Sequence, residues 1–331
     1  MEGPLFRNKK VLITGGTGSF GKRFISRLLS LHEPTEVIVI SRDELKQFEM
    51  REEFPTDKTP VRYFLGDIRD KERLFRVCHG VDCIIHAAAL KQVPTAEFNP
   101  SEVIKTNIIG SENVIEAALE NHVKKVIALS TDKACSPVNL YGATKLASDK
   151  LFAAANHWQG GHSTKFGVVR YGNVVGSRGS VIPFFQEKMK EGVLPITDKR
   201  MTRFWITLDQ GVEFVMSSMR RMHGGELFIP KIPSMNIMDL AEAIAPGMPT
   251  KIVGIRPGEK LHEMMISTDD AINTLEYDGY YVIQPAQPWW DNLEFVDITG
   301  GLKVREQFSY SSENNDKWLS VQELQSILSG N

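Results

Sequence analysis

The sequence lacks the marks of several large protein classes. It has three cysteines in 331 residues, Cys78, Cys83 and Cys135, without metal-type spacing, so neither a disulfide framework nor a Cys-ligated metal is expected. A nucleophilic Cys135 would want a nearby His base, and none is adjacent in sequence. No apolar run approaches the roughly 18 residues of a membrane-spanning helix. The opening MEGPLFRNKK is short and polar, without the apolar core of a secretion signal, so a cytoplasmic protein is expected. The net charge of -2 lacks the basic excess of a nucleic-acid binder, and an anionic ligand must be held by local cations. There is no internal repeat or low-complexity tract. With 42% hydrophobic and 24% charged residues, the chain can bury a real core, enough for one large α/β domain and a smaller companion.

What is present is an alternation of two hydrophobic periods. Unbroken apolar runs at 9–14, 36–41, 61–66, 82–89, 124–130 and 165–175 are separated by helix-length stretches with apolar residues three or four apart. Buried strands alternating with helices predict a doubly wound parallel α/β sheet of Rossmann type, with ligands at the carboxyl ends of the strands. After about residue 176 the pattern loosens into helix candidates at 183–192, 208–222 and 236–245 and one strand at 225–231. The expected division is a dinucleotide-binding, catalytic region over 1–175 and a smaller mixed substrate-binding region over 176–331, with segments returning to the first.

The first strand runs directly into ITGGTGSFG, which spaces Gly15, Gly18 and Gly21 ahead of a helix. Glycines allow a tight turn and close backbone approach, and the helix N-terminus offers amides to a pyrophosphate. At the tip of the second strand SRDELKQ sets Arg42 first, Asp43 a residue later and Lys46 one turn on. The cations favour NADP over NAD; the alternative is a solvated helix start. GDIRD follows the third strand, where Asp67 suits an exocyclic amine and Ile68 the face of adenine. HAAALK ends the fourth with small residues, Ala87 and Ala88 among them, then Lys91; His86 reads as a satisfied core histidine. Asn107 falls on the apolar stripe Val103, Asn107, Gly110, Val114, and a buried amide needs partners. It either organises the active site or caps an interior carbonyl.

Tyr141 and Lys145 in YGATK share one helix face. A neighbouring ammonium and a positive nicotinamide both favour the phenolate, giving a base for a hydroxyl. Just upstream, STDK adds Asp132 and Lys133, which a plain alcohol oxidation does not need. They are either a surface ion pair of little energetic weight or an added acid and base.

At these residues the chain resembles the extended short-chain dehydrogenase/reductases. Within them it is similar to the inverting UDP-N-acetylglucosamine 4,6-dehydratases of pseudaminic acid synthesis, through SRDELKQ, AALKQVP, STDKA, NLYGATK, VRYGNVVGSRGSV, ITDKRMTRFWI and IRPGEKLHE. The motifs run from about residue 11 to 265; the last sixty or so residues add little. The resemblance implies that Tyr141 deprotonates the sugar 4-hydroxyl while NADP takes the hydride. Lys133 then removes the carbon 5 proton, now acidified by the ketone, and Asp132 protonates the departing 6-hydroxyl. Hydride returns to carbon 6 and carbon 5 is reprotonated on the opposite face, giving UDP-2-acetamido-2,6-dideoxy-beta-L-arabino-hexos-4-ulose. As a base, Lys133 needs a pKa well below its ordinary ~10.4, and burial and Lys145 are expected to push that way. Asp132 needs a raised one.

Two sequence features bear on subclass. Retaining relatives usually carry Met at the position of Tyr141, and glucose 4,6-dehydratases a Glu at that of Lys133. Cys135 departs from the commoner Ala.

The resemblance extends the cofactor set to Thr17, Ser19, Phe20, Ser41, Gln47, Leu129 and Ser130. The sugar nucleotide is assigned to Lys91, Thr131, Asn173, Arg178, Gly179, Ser180 and Val181, and further along to Thr197, Arg203, Arg256, Gly258 and Glu259. The two arginines are expected on the diphosphate and Glu259 on ribose; the alternative for each arginine is a surface salt bridge. No metal is expected, and the resemblance implies a homohexamer that serves flagellin glycosylation or surface polysaccharide. Two other readings stay open on the residues alone: a sugar-nucleotide 4-epimerase of this fold, or an NADP-sensing module.

Overall fold

The computed structural model describes residues 5–158, 163–175, 181–287, 290 and 292–329. Six parallel strands, β1 (Lys10–Thr14), β2 (Glu36–Ser41), β3 (Val61–Leu65), β4 (Cys83–His86), β5 (Lys125–Leu129) and β6 (Lys165–Val169), form the first part of the main sheet. These are the predicted runs; β2 matches its run end to end and the others are trimmed by a residue or more. The run at 165–175 breaks after Val169, and Asn173–Val174 becomes a separate strand, β7.

The later strands are β8 (Leu194–Ile196), β9 (Thr202–Ile206), β10 (Leu227–Pro230), β11 (Ser234–Asn236), β12 (Thr250–Ile252), β13 (Met264–Ile266), β14 (Thr274–Tyr277), β15 (Tyr280–Ile283), β16 (Leu302–Lys303) and β17 (Tyr310–Ser311). The main sheet has ten strands in the order β16-β14-β15-β10-β6-β5-β4-β1-β2-β3. Four strands beyond residue 176 therefore extend the first half's own sheet, β10 parallel to β6 and β15 antiparallel to β10. The strand order reverses between β1 and β4, which opens the crevice at their carboxyl ends where doubly wound folds bind ligands.

The two faces of the sheet carry separate cores, as a doubly covered sheet requires. Val11, Ile13, Phe24, Val39 and Met219 belong to one, Leu12, Ile40, Leu74, Ile84 and Phe152 to the other. Ile182, Trp205, Met235, Leu240 and Leu324 form a third cluster under the smaller lobe. The C-terminal helix Val321–Ser329 lends Leu324 to it, although that tail is weakly patterned in sequence. The stripe through Asn107 is helical throughout, but Lys105–Ile109 is a π-turn between the α-helical segments Pro100–Ile104 and Gly110–Glu120. Such turns insert one residue into a helix and cluster at functional sites.

The helix Leu140–Ala154 carries the Tyr-Lys pair, and its fully buried Phe152 packs between the rings of His86 and Phe166 at 5.5 and 6.3 Å. Phe152→Ala would leave a cavity under this helix. A loss of roughly 3–5 kcal/mol is expected, read as a lower denaturation midpoint at unchanged m-value.

Candidate active site

A cavity of about 1200 Å³ runs from the glycine turn across the carboxyl ends of β1, β4 and β5 into the smaller lobe. Gly18 is the N-cap of the helix Ser19–Leu31, with no side chain bonded to that end and no acid in its first turn. The free amides suit a pyrophosphate. Gly15 has φ +66°, and a Cβ on it would lie 2.8 Å from Ala88 Cα, so the turn and the strand-end below it touch backbone to backbone. Thr17, Ser19, Phe20 and Gly21 line the same end, as do Ala87 and Ala88.

At the β2 tip, Ser41, Arg42, Asp43 and Lys46 line the wall. Asp43 caps the helix Glu44–Glu53 through the Lys46 amide and pairs with Lys46 Nζ at 2.6 Å. Its charge is met locally, and the Arg42 guanidinium beside it is half exposed. Ile68 lines the wall but Asp67 does not. The Asp67 carboxylate instead accepts from Arg69 at 2.9 and 2.7 Å and lies 3.6 Å from Arg42. Gln47 is likewise turned inward, donating to the carbonyls of Ser41 and Phe64. Asn107 also lies behind the wall: it bonds both backbone groups of Leu90 and donates to Thr144 Oγ1 at 3.1 Å. It caps interior backbone and, by tying the loop after β4 to the Tyr-Lys helix, also organises backbone beside the site.

His86 is buried between Thr14 and Ser111, and burial pushes its pKa down to about 3. It is a neutral core histidine. Cys135 is buried with its thiol pushed up to about 11, chiefly by burial, so it carries no thiolate at neutral pH.

Tyr141 and Lys145 both reach the cavity beside Leu129, Ser130, Thr131 and Lys133. Burial pushes the Tyr141 hydroxyl up to about 12, and the ammonium that pulls against this is Lys133. Lys145 is 3% exposed, and burial lowers its pKa against the opposing pull of Asp149.

Asp132 and Lys133 are not a surface pair: Lys133 lines the cavity with its side chain 25% exposed, and Asp132 lies behind it rather than in the wall. Asp132 is fully buried, its Oδ1 accepting from Lys133 Nζ at 3.0 Å and from Thr131 at 2.9 Å, while its Oδ2 is left without a partner. Lys133 Nζ has a second carboxylate at 3.1 Å, Glu263 Oε1, with the Glu263 side chain 3% exposed. The pKa direction expected for Lys133 is thereby overturned. Burial works to lower it, but Asp132 and Glu263 outweigh burial and raise it above the ordinary lysine value. Asp132 is raised as expected, first by burial, with Glu263 adding to it. Glu263 is lowered, burial being outweighed by Lys133 and Arg203.

On the far wall lie Lys91, Asn173, Val181, Thr197, Arg203 and, on one loop, Arg256, Gly258 and Glu259; Arg178, Gly179 and Ser180 fall outside the described residues. Arg203 is neither a surface salt bridge nor an open fork. Its Nη1 donates to the carbonyls of Thr202 and Leu261 and its Nη2 to that of Lys260. Arg256 is more open, 3.7 Å from Glu259 and over the ring of Phe184.

Glu263 and Asn139 are wall residues that sequence reasoning passed over. Asn139 caps the Tyr-Lys helix through the Gly142 amide and donates to the Gly258 carbonyl at 2.8 Å. Glu263 closes the quoted motif IRPGEKLHE, but a second acid in a charged loop gives no sign of burial. Among the described residues there is no acid, His and Cys cluster that could hold a metal, and no helix long and apolar enough to cross a membrane.

Comparison with known proteins agrees with the fold. The family model described as "Polysaccharide biosynthesis protein" matches residues 11–285. A Campylobacter jejuni protein named UDP-N-acetylglucosamine 4,6-dehydratase (inverting) is 60% identical, with 98% of each chain covered. The X-ray structure of Pen from Bacillus thuringiensis superposes with a TM-score of 0.89 at 37% identity, again over 98% of each chain. That of DesIV, a dTDP-glucose 4,6-dehydratase from Streptomyces venezuelae with NAD and TYD bound, gives a TM-score of 0.66 at 25% identity over 76% of this chain and 86% of that one.

A Cβ on Gly142 would collide with the Lys133 carbonyl, because the Tyr-Lys helix starts directly against the Asp-Lys turn. Gly142→Ala is expected to cost ~1–3 kcal/mol and most of the turnover, while dinucleotide affinity at the distant glycine turn persists; calorimetry and steady-state kinetics separate the two. From its family match and its long, high-identity relatives, the chain belongs to the polysaccharide-biosynthesis family of nucleotide-sugar-modifying short-chain dehydrogenase/reductases.

Proposed function

We propose that the protein dehydrates UDP-N-acetylglucosamine to the 4-keto-6-deoxy sugar nucleotide with inversion at carbon 5. The observation that carries this is the Asp132–Lys133 pair, 3.0 Å apart: Lys133 lines the cavity wall that also holds Tyr141 and Lys145, and the fully buried Asp132 lies directly behind it. A 4-epimerase needs a base for one hydroxyl and a hydride carrier; a buried acid with a lysine against it has work only if a carbon 5 proton and a 6-hydroxyl leave. The inverting relative at 60% identity supports the same reading.

A nicotinamide dinucleotide fits the cavity's glycine end, where the Gly15–Ala88 approach and uncapped helix terminus leave backbone amides open. When bound it supplies the hydride acceptor at carbon 4 and the donor at carbon 6. NADP is the form proposed, held at its 2′-phosphate by Arg42 and Lys46. Tyr141 takes the 4-hydroxyl proton, Lys145 orients the ribose and the phenol, and Asp132 and Lys133 carry the elimination. Thr131, Asn173 and Val181 hold the sugar; Arg256 takes the diphosphate and Glu259 the ribose. Arg203, with most donors committed to the backbone, shapes that end of the cavity. Phe98 is 87% exposed and Ile104 39%, an apolar surface that assembly into a homo-oligomer would cover. Provision of a pseudaminic acid precursor in the cytoplasm for flagellin or polysaccharide modification completes the proposal.

Purified enzyme given UDP-N-acetylglucosamine in heavy water should yield a product lighter by one water, labelled at carbon 5 and of inverted configuration. An unchanged sugar mass in light water would sink the dehydratase; label with retained configuration would sink only inversion. Arg42→Ala should raise the KM for NADP about tenfold, the loss of one charge-assisted contact, and leave that for NAD nearly unchanged.

A further inference from the structure

Resting on that dehydratase reading, we infer that Glu263 is the positioning residue for the elimination: it holds Lys133 against Asp132 and aims the lysine nitrogen at carbon 5. The problem it solves is the charge on Lys133. Lys133 sits as an ammonium between two buried carboxylates, at 3.0 Å from Asp132 Oδ1 and 3.1 Å from Glu263 Oε1, and an ammonium cannot take a proton.

The cluster can become an acid and a base without exchanging a proton with solvent. One proton moves from Lys133 Nζ to the Asp132 carboxylate along their existing hydrogen bond. The amine keeps two N–H groups and gains a lone pair, Asp132 becomes a carboxylic acid, and Glu263 stays a carboxylate. Glu263 Oε1 then accepts one of the amine N–H groups. That bond turns the lone pair away from Glu263 and into the cavity. The amine takes the carbon 5 proton, the C–H electron pair becomes the bond between carbons 5 and 6, and the C–O bond at carbon 6 breaks. The Asp132 proton goes to the departing hydroxyl, which leaves as water. Ammonium and two carboxylates are restored.

Glu263 is built to hold a position. Its amide donates to Ser312 Oγ at 2.9 Å and its carbonyl accepts from the Ser312 amide at 2.7 Å. Ser312 Oγ also meets Thr202 Oγ1 at 2.7 Å. Its neighbour His262 is turned the other way, onto Thr202 and Glu313. The Glu263 side chain faces Lys133, Arg203 Nε at 3.8 Å, and more distantly Lys260. Lys133 faces Asp132, Glu263 and, further off, Arg203, Lys91 and Tyr141. Glu263 Oε2 is buried without a partner, so the carboxylate has spare acceptor capacity as the proton moves.

The sign of the pH effect follows. The working cluster holds one proton shared between Lys133 and Asp132, and the Glu263 charge makes both hold protons more tightly. Removing that charge lowers the pH at which a second proton is gained and the pH at which the first is lost. The test uses full-length holoenzyme with UDP-N-acetylglucosamine, following nicotinamide reduction for carbon 4 oxidation and deuterium wash-in for carbon 5 exchange. The ratio of the two rates cancels the amount of folded enzyme. For Glu263→Gln the ratio of exchange to oxidation should fall roughly 100-fold, the low end for a positioned acid–base pair, and both limbs of the exchange profile should move to lower pH. Glu263→Asp should recover part of the ratio and the original limbs. An unchanged ratio and profile in Glu263→Gln would overturn the inference, as would equal losses of oxidation and exchange in both variants. Wild-type enzyme that oxidises carbon 4 but never exchanges carbon 5 would overturn instead the reading on which it rests.

Discussion

A lysine ammonium held between two buried carboxylates is the interaction around which the site is arranged. One cation and two anions, almost out of water, are tolerable only with tight geometry and further hydrogen bonds. The protein meets that condition from three directions. Thr131 bonds Asp132, Arg203 lies beside Glu263, and the Tyr-Lys helix packs directly on the turn that carries Asp132 and Lys133. Burial raises the cost of every charge and strengthens every attraction at once. Asp132 rises and Lys133 rises with it, because the lysine's attraction to its two carboxylates exceeds its burial penalty.

That cluster draws on both halves of the chain. Asp132, Lys133, Tyr141 and Lys145 follow β5 in the first half of the chain, while Glu263 leads into β13 from the smaller lobe. β13 is paired with β17, and Ser312 just beyond β17 clamps Glu263 by both backbone groups. A C-terminal tail with weak sequence patterning thus reaches the catalytic cavity through two hydrogen bonds. Two asparagines work in the same way, Asn107 behind the wall and Asn139 in it. Asn107, from a π-turn, joins the loop after β4 to the Tyr-Lys helix, and Asn139 joins that helix to the Gly258 loop. Each uses its side-chain amide to lock together two chain segments that carry site residues.

Much of the fold was legible because its strands are buried on both faces and read as continuous apolar runs, so period and length agree. The glycine turn, the Tyr-Lys pair and the Asp-Lys pair were legible because each is local: their spacing along the chain is their spacing in space. Gln47 and Asp67 show where this fails. Both stand in motifs that border the cofactor end, yet one turns inward to two carbonyls and the other turns to Arg69. A motif places a backbone, and the nearest unsatisfied partner decides where the side chain goes.

By itself the sequence determined the sheet's first six strands, the glycine turn, and a Tyr-Lys pair with an Asp-Lys pair one short loop away. Periodicity and fixed spacing carry those. Only the tertiary structure decided that the sheet continues through four late strands, that Arg203 serves the backbone, and that Lys133 is held charged rather than neutral. The physical reason is range. A pKa in a cavity depends on charges within a few ångströms whatever their separation in sequence, and Glu263, which reverses the expectation for Lys133, lies 3.1 Å away across the fold.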